Sequence, residues 1–310
     1  MSTILEVSNL SKSYGNVQAL SQVSFRIDEG EFYGLLGPNG AGKTTTINII
    51  STISPPDLGY VKINGIDLKT NPMECKKSIG VVPQEIALYN ELSAYENLLF
   101  WGGLYKIKSD ELKRKIESTL NLMGLSDRKN DKIKTYSGGM KRRINIASAL
   151  LHSPKILFMD EPTVGIDPQS RNLIFDVLEE LHKKGMTIIY TTHYMEEAER
   201  LCNRIGIIDH GNIIAEGTLD ELRDTTNAVE SIIIHLEKIE DEKKVKINKL
   251  GNLIDISGNV LTFSSKNSNK ELPVILVELN KAGLAPIQIE INKVNLETIF
   301  LNLTGRKLRD

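Results

Sequence analysis

The octapeptide Gly37-Pro38-Asn39-Gly40-Ala41-Gly42-Lys43-Thr44 holds more chemistry than any other stretch of this chain. Its spacing is G-x-x-x-x-G-K-[ST]. It follows the apolar run Phe32 to Leu36 and opens a helix-compatible run, Thr45 to Ile53. Strand before and helix after is the setting in which such a loop cradles phosphate. The glycines free backbone N–H groups to converge on phosphate oxygens, and the helix turns its positive dipole end on the same anion. Lys43 would neutralise the β- and γ-phosphates, and the Thr44 hydroxyl would sit on Mg²⁺. These residues predict a nucleoside triphosphate site.

Further candidates stand where strands end or helices begin. The apolar strand Lys155 to Met159 ends in Asp160-Glu161, and an acid pair at such a point is where doubly wound sheets place catalytic groups. His193 directly follows a buried β-branched strand, Met186 to Thr192, and Gln84 opens a loop after the short run Ser78 to Val82. Ser137-Gly138-Gly139-Met140 begins a helix that runs to His152 and stops before Pro154; a serine at a helix start with two glycines is another ready anion site. Lys141, Arg142 and Arg143 cluster in its first turns, against the sign the dipole favours. They form a solvated charged face, or that end meets an anion. Asp167-Pro168 caps the next helix, Asp at N-cap and Pro at N1. Tyr14, in Ser13-Tyr14-Gly15, reads as a half-packed surface tyrosine or as a ring stacked on a purine.

The elements that must position these groups follow from periodicity. Ile4 to Val7 and Val23 to Ile27 alternate as short strands, and Asp28-Glu29-Gly30 turns the chain into the strand before the phosphate loop. Gly59 to Gly65 is a hairpin arm. Ser93 to Tyr105 is a helix with a Leu/Phe/Trp-rich face, either core-packing or partner-docking. Residues 109–123 form an exposed amphipathic helix. Ile205 to Ile208 and Ile213 to Ala215 are strands around His210-Gly211, and Thr218 to Glu221 is a capping box. Alternating apolar strands and helices predict a parallel α/β core through about residue 224. Past the polar linker Asp224 to Asn227 come a strand (Ser231 to Leu236), a charged helix (Glu240 to Leu250), a hairpin (Leu253 to Ser264), a helix (Glu271 to Lys281), a strand (Pro286 to Ile291) and a helix (Leu296 to Leu303). That βαββαβ order suits a small split-βαβ sandwich.

Composition adds bounds. At 310 residues the chain suits one large or two smaller units, and a formal charge of −2 gives no electrostatic reason to expect nucleic acid as the main partner. Cys75 and Cys202 lie far apart, against a zinc site or disulfide framework and in keeping with a reducing cytosol. The N-terminus lacks the pattern of a secretion signal, and no apolar stretch approaches the ~18 residues of a membrane span. Work at a membrane would need another chain to supply the spans.

The phosphate loop, Gln84, Ser137 to Met140, Asp160-Glu161 and His193 stand in one order, and in that order the chain resembles the ATP-binding cassette (ABC) transporter ATPases over residues 3 to about 224. Tyr136-Ser137-Gly138-Gly139-Met140 replaces the usual L-S-G-G-Q. That departure, Thr191 to Glu199 and the tail Leu296 to Arg306 resemble the daunorubicin-resistance type exporters.

The resemblance implies an α/β fold: a P-loop NTPase core, an antiparallel β subdomain and a helical subdomain in residues 1–224, then a small α+β accessory domain over 229–310. It implies ATP and Mg²⁺. Glu161 becomes the general base, His193 the γ-phosphate switch, and Gln84 a catalytic and metal residue beside the ligands Thr44 and Asp160. The nucleotide-binding set becomes Tyr14, Gly37, Pro38, Asn39, Gly40, Ala41, Gly42, Lys43, Thr44, Thr45 and Asp167, with Ser137, Gly138 and Gly139 offered to a partner's ATP. Two cassettes would face head-to-tail, with Arg142 or Arg143 near phosphate or binding the acid of a neighbouring loop. The pair would be cytoplasmic, held at the inner membrane face by a separate permease that the aromatic stretch Tyr89 to Trp101 receives. A non-transport ABC protein of ribosome or DNA would carry two cassettes or a long coiled-coil insertion, and neither is present. A P-loop kinase or GTPase leaves Ser137-Gly138-Gly139 unexplained.

Overall fold

The computed structural model describes residues 2–226, 229–238 and 252–305. The chain divides into two compact units, one running to Leu219 and one beginning at Asp220.

In the first unit, strands β1 (Thr3–Tyr14) and β2 (Val17–Asp28) form a hairpin, which β4 (Leu58–Ile63) and β5 (Ile66–Asp67) extend into an antiparallel sheet in the order β2-β1-β4-β5. The expected strands 4–7 and 23–27 are segments of longer ones. Asn9 and Gln22 take positive φ and the β1–β2 register shifts along the hairpin, so the alternation that reveals a strand breaks within a continuous one.

The second sheet holds β3 (Phe32–Leu36), β6 (Ile79–Val82), β7 (Ile156–Asp160), β8 (Thr187–Thr192), β9 (Arg204–Asp209) and β10 (Asn212–Gly217), in the order β10-β9-β3-β8-β7-β6. All pairs are parallel except the edge strand β10. Every residue of β3, β7 and β8 is buried, which is why none of these strands shows the apolar–polar alternation of a half-buried strand. Successive residues serve opposite cores. Leu157, Met159, Ile188 and Tyr190 meet Ile144 of α5 (Gly138–Leu150) and Ile174 and Leu178 of α6 (Pro168–Lys183). Ile156, Phe158 and Ile189 meet Ile47 and Ile50 of α1 (Lys43–Ile50) together with Leu5 and Phe25 of the antiparallel sheet.

Helices α3 (Ala94–Leu104) and α4 (Ser109–Leu122) extend the first of these cores through Leu98, Leu112, Ile116 and Leu120. Ser93 caps α3 in a reciprocal box with Glu96. Trp101 of α3 packs on the core, while Phe100 of α3 and Tyr89 of the preceding loop are 41% and 49% exposed and meet edge to face at 5.0 Å. Two more helices are α2 (Pro72–Ser78) and α7 (Met195–Leu201), and α8 (Leu219–Thr225) starts at the unit boundary and lies in the second unit. The sequence gives no sign of α2, because its seven residues bury only Cys75 and show no apolar stripe.

In the second unit, β11 (Glu230–Leu236), β12 (Leu253–Ser257), β13 (Val260–Ser265) and β14 (Pro286–Asn292) make an antiparallel sheet in the order β12-β13-β11-β14, with helices α9 (Ser268–Lys281) and α10 (Leu296–Thr304). Ile232, Ile234, Phe263, Ile275 and Leu279 form its core. The expected helix Glu240 to Leu250 and the terminal Arg306 lie outside the described residues.

Candidate functional site

Three neighbouring strands, β3, β8 and β7, deliver their C-terminal ends to one place. The phosphate loop leaves β3, His193 follows β8, and Asp160-Glu161 ends β7. Gly37 N–H donates to Thr192 O at 3.3 Å, tying the loop's first residue to the end of β8. Gly42, the N-cap of α1, has φ 112, and a Cβ there would fall 2.6 Å from Leu20 Cδ2 and 2.8 Å from Ala19 O. Only glycine lets the helix start this close to the β1–β2 hairpin. No side chain caps α1, so the N–H groups of its first turn, at Lys43, Thr44 and Thr45, face outward for an anion. Thr44 is exposed and Thr45 half-buried.

Lys43 folds back over its own loop. Its Nζ donates to Gly37 O (2.7 Å) and Pro38 O (3.0 Å) and stands 3.0 Å from Glu161 Oε1. Glu161 is 6% exposed and held at φ 42, a left-handed backbone that glutamate seldom adopts. Its second oxygen, Oε2, lies 3.2 Å from His193 Nδ1, within ion-pair reach but out of hydrogen-bond alignment, and accepts Gln84 Nε2–H at 3.4 Å. Three sequence candidates, Lys43, Gln84 and His193, thus converge on the carboxylate of a fourth, Glu161. Asp160, 4% exposed, accepts the Thr191 hydroxyl at Oδ1 (2.7 Å), and the same hydroxyl accepts Glu161 N–H at 3.0 Å. Thr191 therefore sets the two acids relative to each other.

A second group lies at the start of α5 and α6. Ser137 is the N-cap of α5 and accepts Met140 N–H at 3.3 Å; Ser137 and Gly138 are exposed. Gly139 is buried for a steric reason: a Cβ would fall 2.2 Å from Ser170 Cβ on α6. Asp167 caps α6 by accepting Ser170 N–H at 2.9 Å, and this bond draws its carboxyl below the usual range. Tyr14 closes β1 opposite Val17 and is 49% exposed, with Lys12 Nζ 5.5 Å from its ring. It makes none of the contacts of either group.

The cations of α5 differ from expectation. Arg142 Nη1 donates to Pro83 O at 2.7 Å and Nη2 to Gln84 O, and Arg143 Nη1 donates to Met123 O at 2.6 Å. Their hydrogen bonds go to backbone carbonyls of their own chain rather than to an acid. Burial pulls both guanidinium pKa values down.

Sequence reading also misses a buried carboxylate beside the site. Glu197 of α7, 3% exposed, accepts the hydroxyls of Thr163 (2.8 Å), Tyr190 (2.9 Å) and Thr192 (2.8 Å). It ties the segment after Glu161 to the strand before His193. Burial, reinforced by the Glu197 charge, holds the Tyr190 phenol far above its ordinary value. A glutamate in register with the buried Ala198 and Leu201 is the signal that marks it.

The all-oxygen donor set of Thr44, Gln84 and Asp160 fits Mg²⁺, which keeps several water or phosphate ligands and needs only one or two carboxylates. No cluster of three or more His, Cys, Asp or Glu side chains able to hold a metal by themselves occurs among the described residues.

Comparison with known proteins points the same way. The ABC transporter family model matches residues 20–164. The linearmycin resistance ATP-binding protein of Bacillus subtilis (strain 168) is 45% identical over 99% of this chain and 100% of its own length. The daunorubicin/doxorubicin resistance ATP-binding protein of Streptomyces peucetius is 33% identical over 99% of this chain and 94% of its own. Among solved structures, a dimeric post-hydrolysis state of an ATP-binding cassette bound to ADP and Pi superposes with a TM-score of 0.62 at 31% identity, covering 69% of this chain and 98% of that one.

Proposed function

The chain belongs to the ABC transporter ATPase family and is an ATP-hydrolysing transporter subunit, and from that premise we propose that two copies close head-to-tail around two ATP molecules to drive export through a separate permease. The observation that carries this reading is the convergence of Lys43, Gln84 and His193 on Glu161 at the ends of adjacent strands. The loop N–H groups and Lys43 hold the triphosphate. Glu161 takes the proton of the attacking water, a role that a carboxylate beside the Lys43 cation at the strand ends supports. His193 meets the γ-phosphate across the Glu161 carboxylate. Thr44, Gln84 and Asp160 hold Mg²⁺, which when bound neutralises charge developing on the phosphates. Tyr14 stacks on the adenine, and Thr45 and Asp167 complete the nucleotide shell.

The need for a second copy follows from the exposed Ser137-Gly138 at the N-terminus of α5, an anion site in a chain with a single phosphate loop. The neighbour cassette solved as a dimer with ADP and Pi supports the arrangement. In our reading residues 1–224 are the cassette and 229–310 an accessory domain. Among the described residues no helix is long and apolar enough to cross a membrane. In our reading the permease is another chain, with the pair on its cytoplasmic side and Tyr89 to Trp101 receiving it. The named relatives support a drug- or antibiotic-like cargo.

Glu161→Gln tests the reading. It should keep ATP binding, lower turnover by at least about a hundredfold, and trap an ATP-dependent dimer in size-exclusion chromatography. Parent-rate hydrolysis by this variant removes the general-base role; a monomer at saturating ATP removes the shared site.

A further inference from the structure

Arg142 lies in the second turn of α5, 3% exposed, and no carboxylate among the described residues comes within ion-pair distance of it. A guanidinium buried merely to fill space, with no acid to pair it, costs free energy that an apolar side chain would not. What an apolar side chain cannot do is bond two successive carbonyls with one rigid fork. Arg142 does so, at Pro83 O and Gln84 O. One turn further along α5, Asn145 Oδ1 accepts Ala87 N–H at 3.3 Å. From α3, Asn97 accepts Tyr89 N–H at 2.8 Å and donates to Tyr89 O at 3.0 Å. The loop that carries Gln84 is thus held by its backbone, while the Gln84 side chain is left to face Glu161.

We propose that Arg142 is a positioning residue for Gln84, joining the loop of the metal-ligating glutamine to the helix that begins at Ser137-Gly138-Gly139. Gln84 then keeps its place because α5 keeps its place. This deepens the proposed function and rests on it in two respects: Gln84 is the metal ligand of that reading, and where Ser137 and Gly138 cap the partner's ATP, a nucleotide held there also sets Gln84 in this chain's own site.

The test is the Mg²⁺ dependence of equilibrium ATP binding, read with a fluorescent ATP analogue on the full chain, alongside hydrolysis. Arg142→Met should raise the Mg²⁺ concentration at half-saturation by at least about tenfold, the usual cost of losing an outer-shell partner of a metal ligand. Binding of the analogue without Mg²⁺ should be unchanged. Arg142→Lys, which keeps the charge and reaches one carbonyl, should fall between parent and Met variant and carries the test if the Met variant fails to fold. In a Gln84→Ala background, Arg142→Met should add no further shift, since a residue acting only through another is non-additive with it. An unchanged Mg²⁺ midpoint in Arg142→Lys, or additive shifts in the double variant, overturns the proposal. Measured on chain dilute enough to stay monomeric, the Mg²⁺ midpoints do not depend on dimer formation, so the Glu161→Gln trapping experiment can fail without deciding this one, and the reverse holds.

Discussion

Lys43 and Glu161 form a buried ion pair, Nζ to Oε1 at 3.0 Å, with the side chains 4% and 7% exposed. The cation that the triphosphate needs and the carboxylate that water needs are thus each other's neighbours. Breaking a buried pair from one side strands the other charge. Lys43→Met should abolish measurable ATP binding and destabilise the fold by about 3 kcal/mol. Adding Glu161→Gln should restore most of that stability and none of the binding. Denaturant unfolding and nucleotide binding of both single variants and the double variant check this.

The three hydroxyls on Glu197 set up a second experiment. Tyr190→Phe removes one donor and should cost about 1 kcal/mol. Glu197→Ala leaves three buried hydroxyls without their acceptor and should cost at least about 3 kcal/mol. Because Thr192 also fixes Gly37 through its carbonyl, ATP affinity should weaken in Glu197→Ala more than in Tyr190→Phe. Isothermal binding and chemical unfolding on the two variants decide it.

Gly139 is tied to Ser170 by contact, and the contact can be exchanged. Gly139→Ala forces a methyl to within 2.2 Å of Ser170 Cβ and should cost about 1–3 kcal/mol as α5 and α6 are pushed apart. Ser170→Gly in the same chain removes the obstructing carbon and should recover stability. Equal melting temperatures for Gly139→Ala with and without Ser170→Gly would contradict the packing account.

His152 supplies a pH dependence. Its ring stacks on Tyr105 at 3.8 Å and its Nε2 lies 2.8 Å from Ile79 O. A carbonyl only accepts, so Nε2 carries the proton and the buried Nδ1 is left without a partner. Burial holds the imidazole below its ordinary value of 6.5. As pH falls below that value the unfolded chain takes up a proton that the folded chain refuses, so the unfolded state gains. This contribution is intact above 6.5, is lost progressively below it, and levels off once the folded imidazole protonates as well. His152→Gln keeps a donor for Ile79 O and does not titrate. Its melting temperature should therefore fall less than the parent's between neutral pH and pH 5.5–6.

What the sequence made legible is what is local. Lys43 and the glycines sit in one unbroken spacing, Asp160 and Glu161 end a short apolar run, and His193 follows a β-branched one, both read as buried strands. The ABC resemblance assembled these pieces in the right family and subgroup. Thr191 and Thr163 escaped because their bonds to Glu161 and Glu197 join residues about thirty apart in the chain, a separation with no periodic trace, and Glu197 reads in sequence as one more helix glutamate until its place beside Ala198 and Leu201 is weighed. Arg142 was misread for a different reason. Its place near a helix start suggested an anion, whereas the fold turns it inward onto the Gln84 loop.

The reaction end spans three side-by-side strands, β3, β8 and β7, and so two interstrand gaps, about 10 Å in all. Hydrogen-bonded ladders set that ruler, and no side-chain exchange can lengthen it. Descendants of this architecture are thereby bound to a fuel of fixed dimensions. Diversity in what they move has to be written into surfaces that the ruler does not measure.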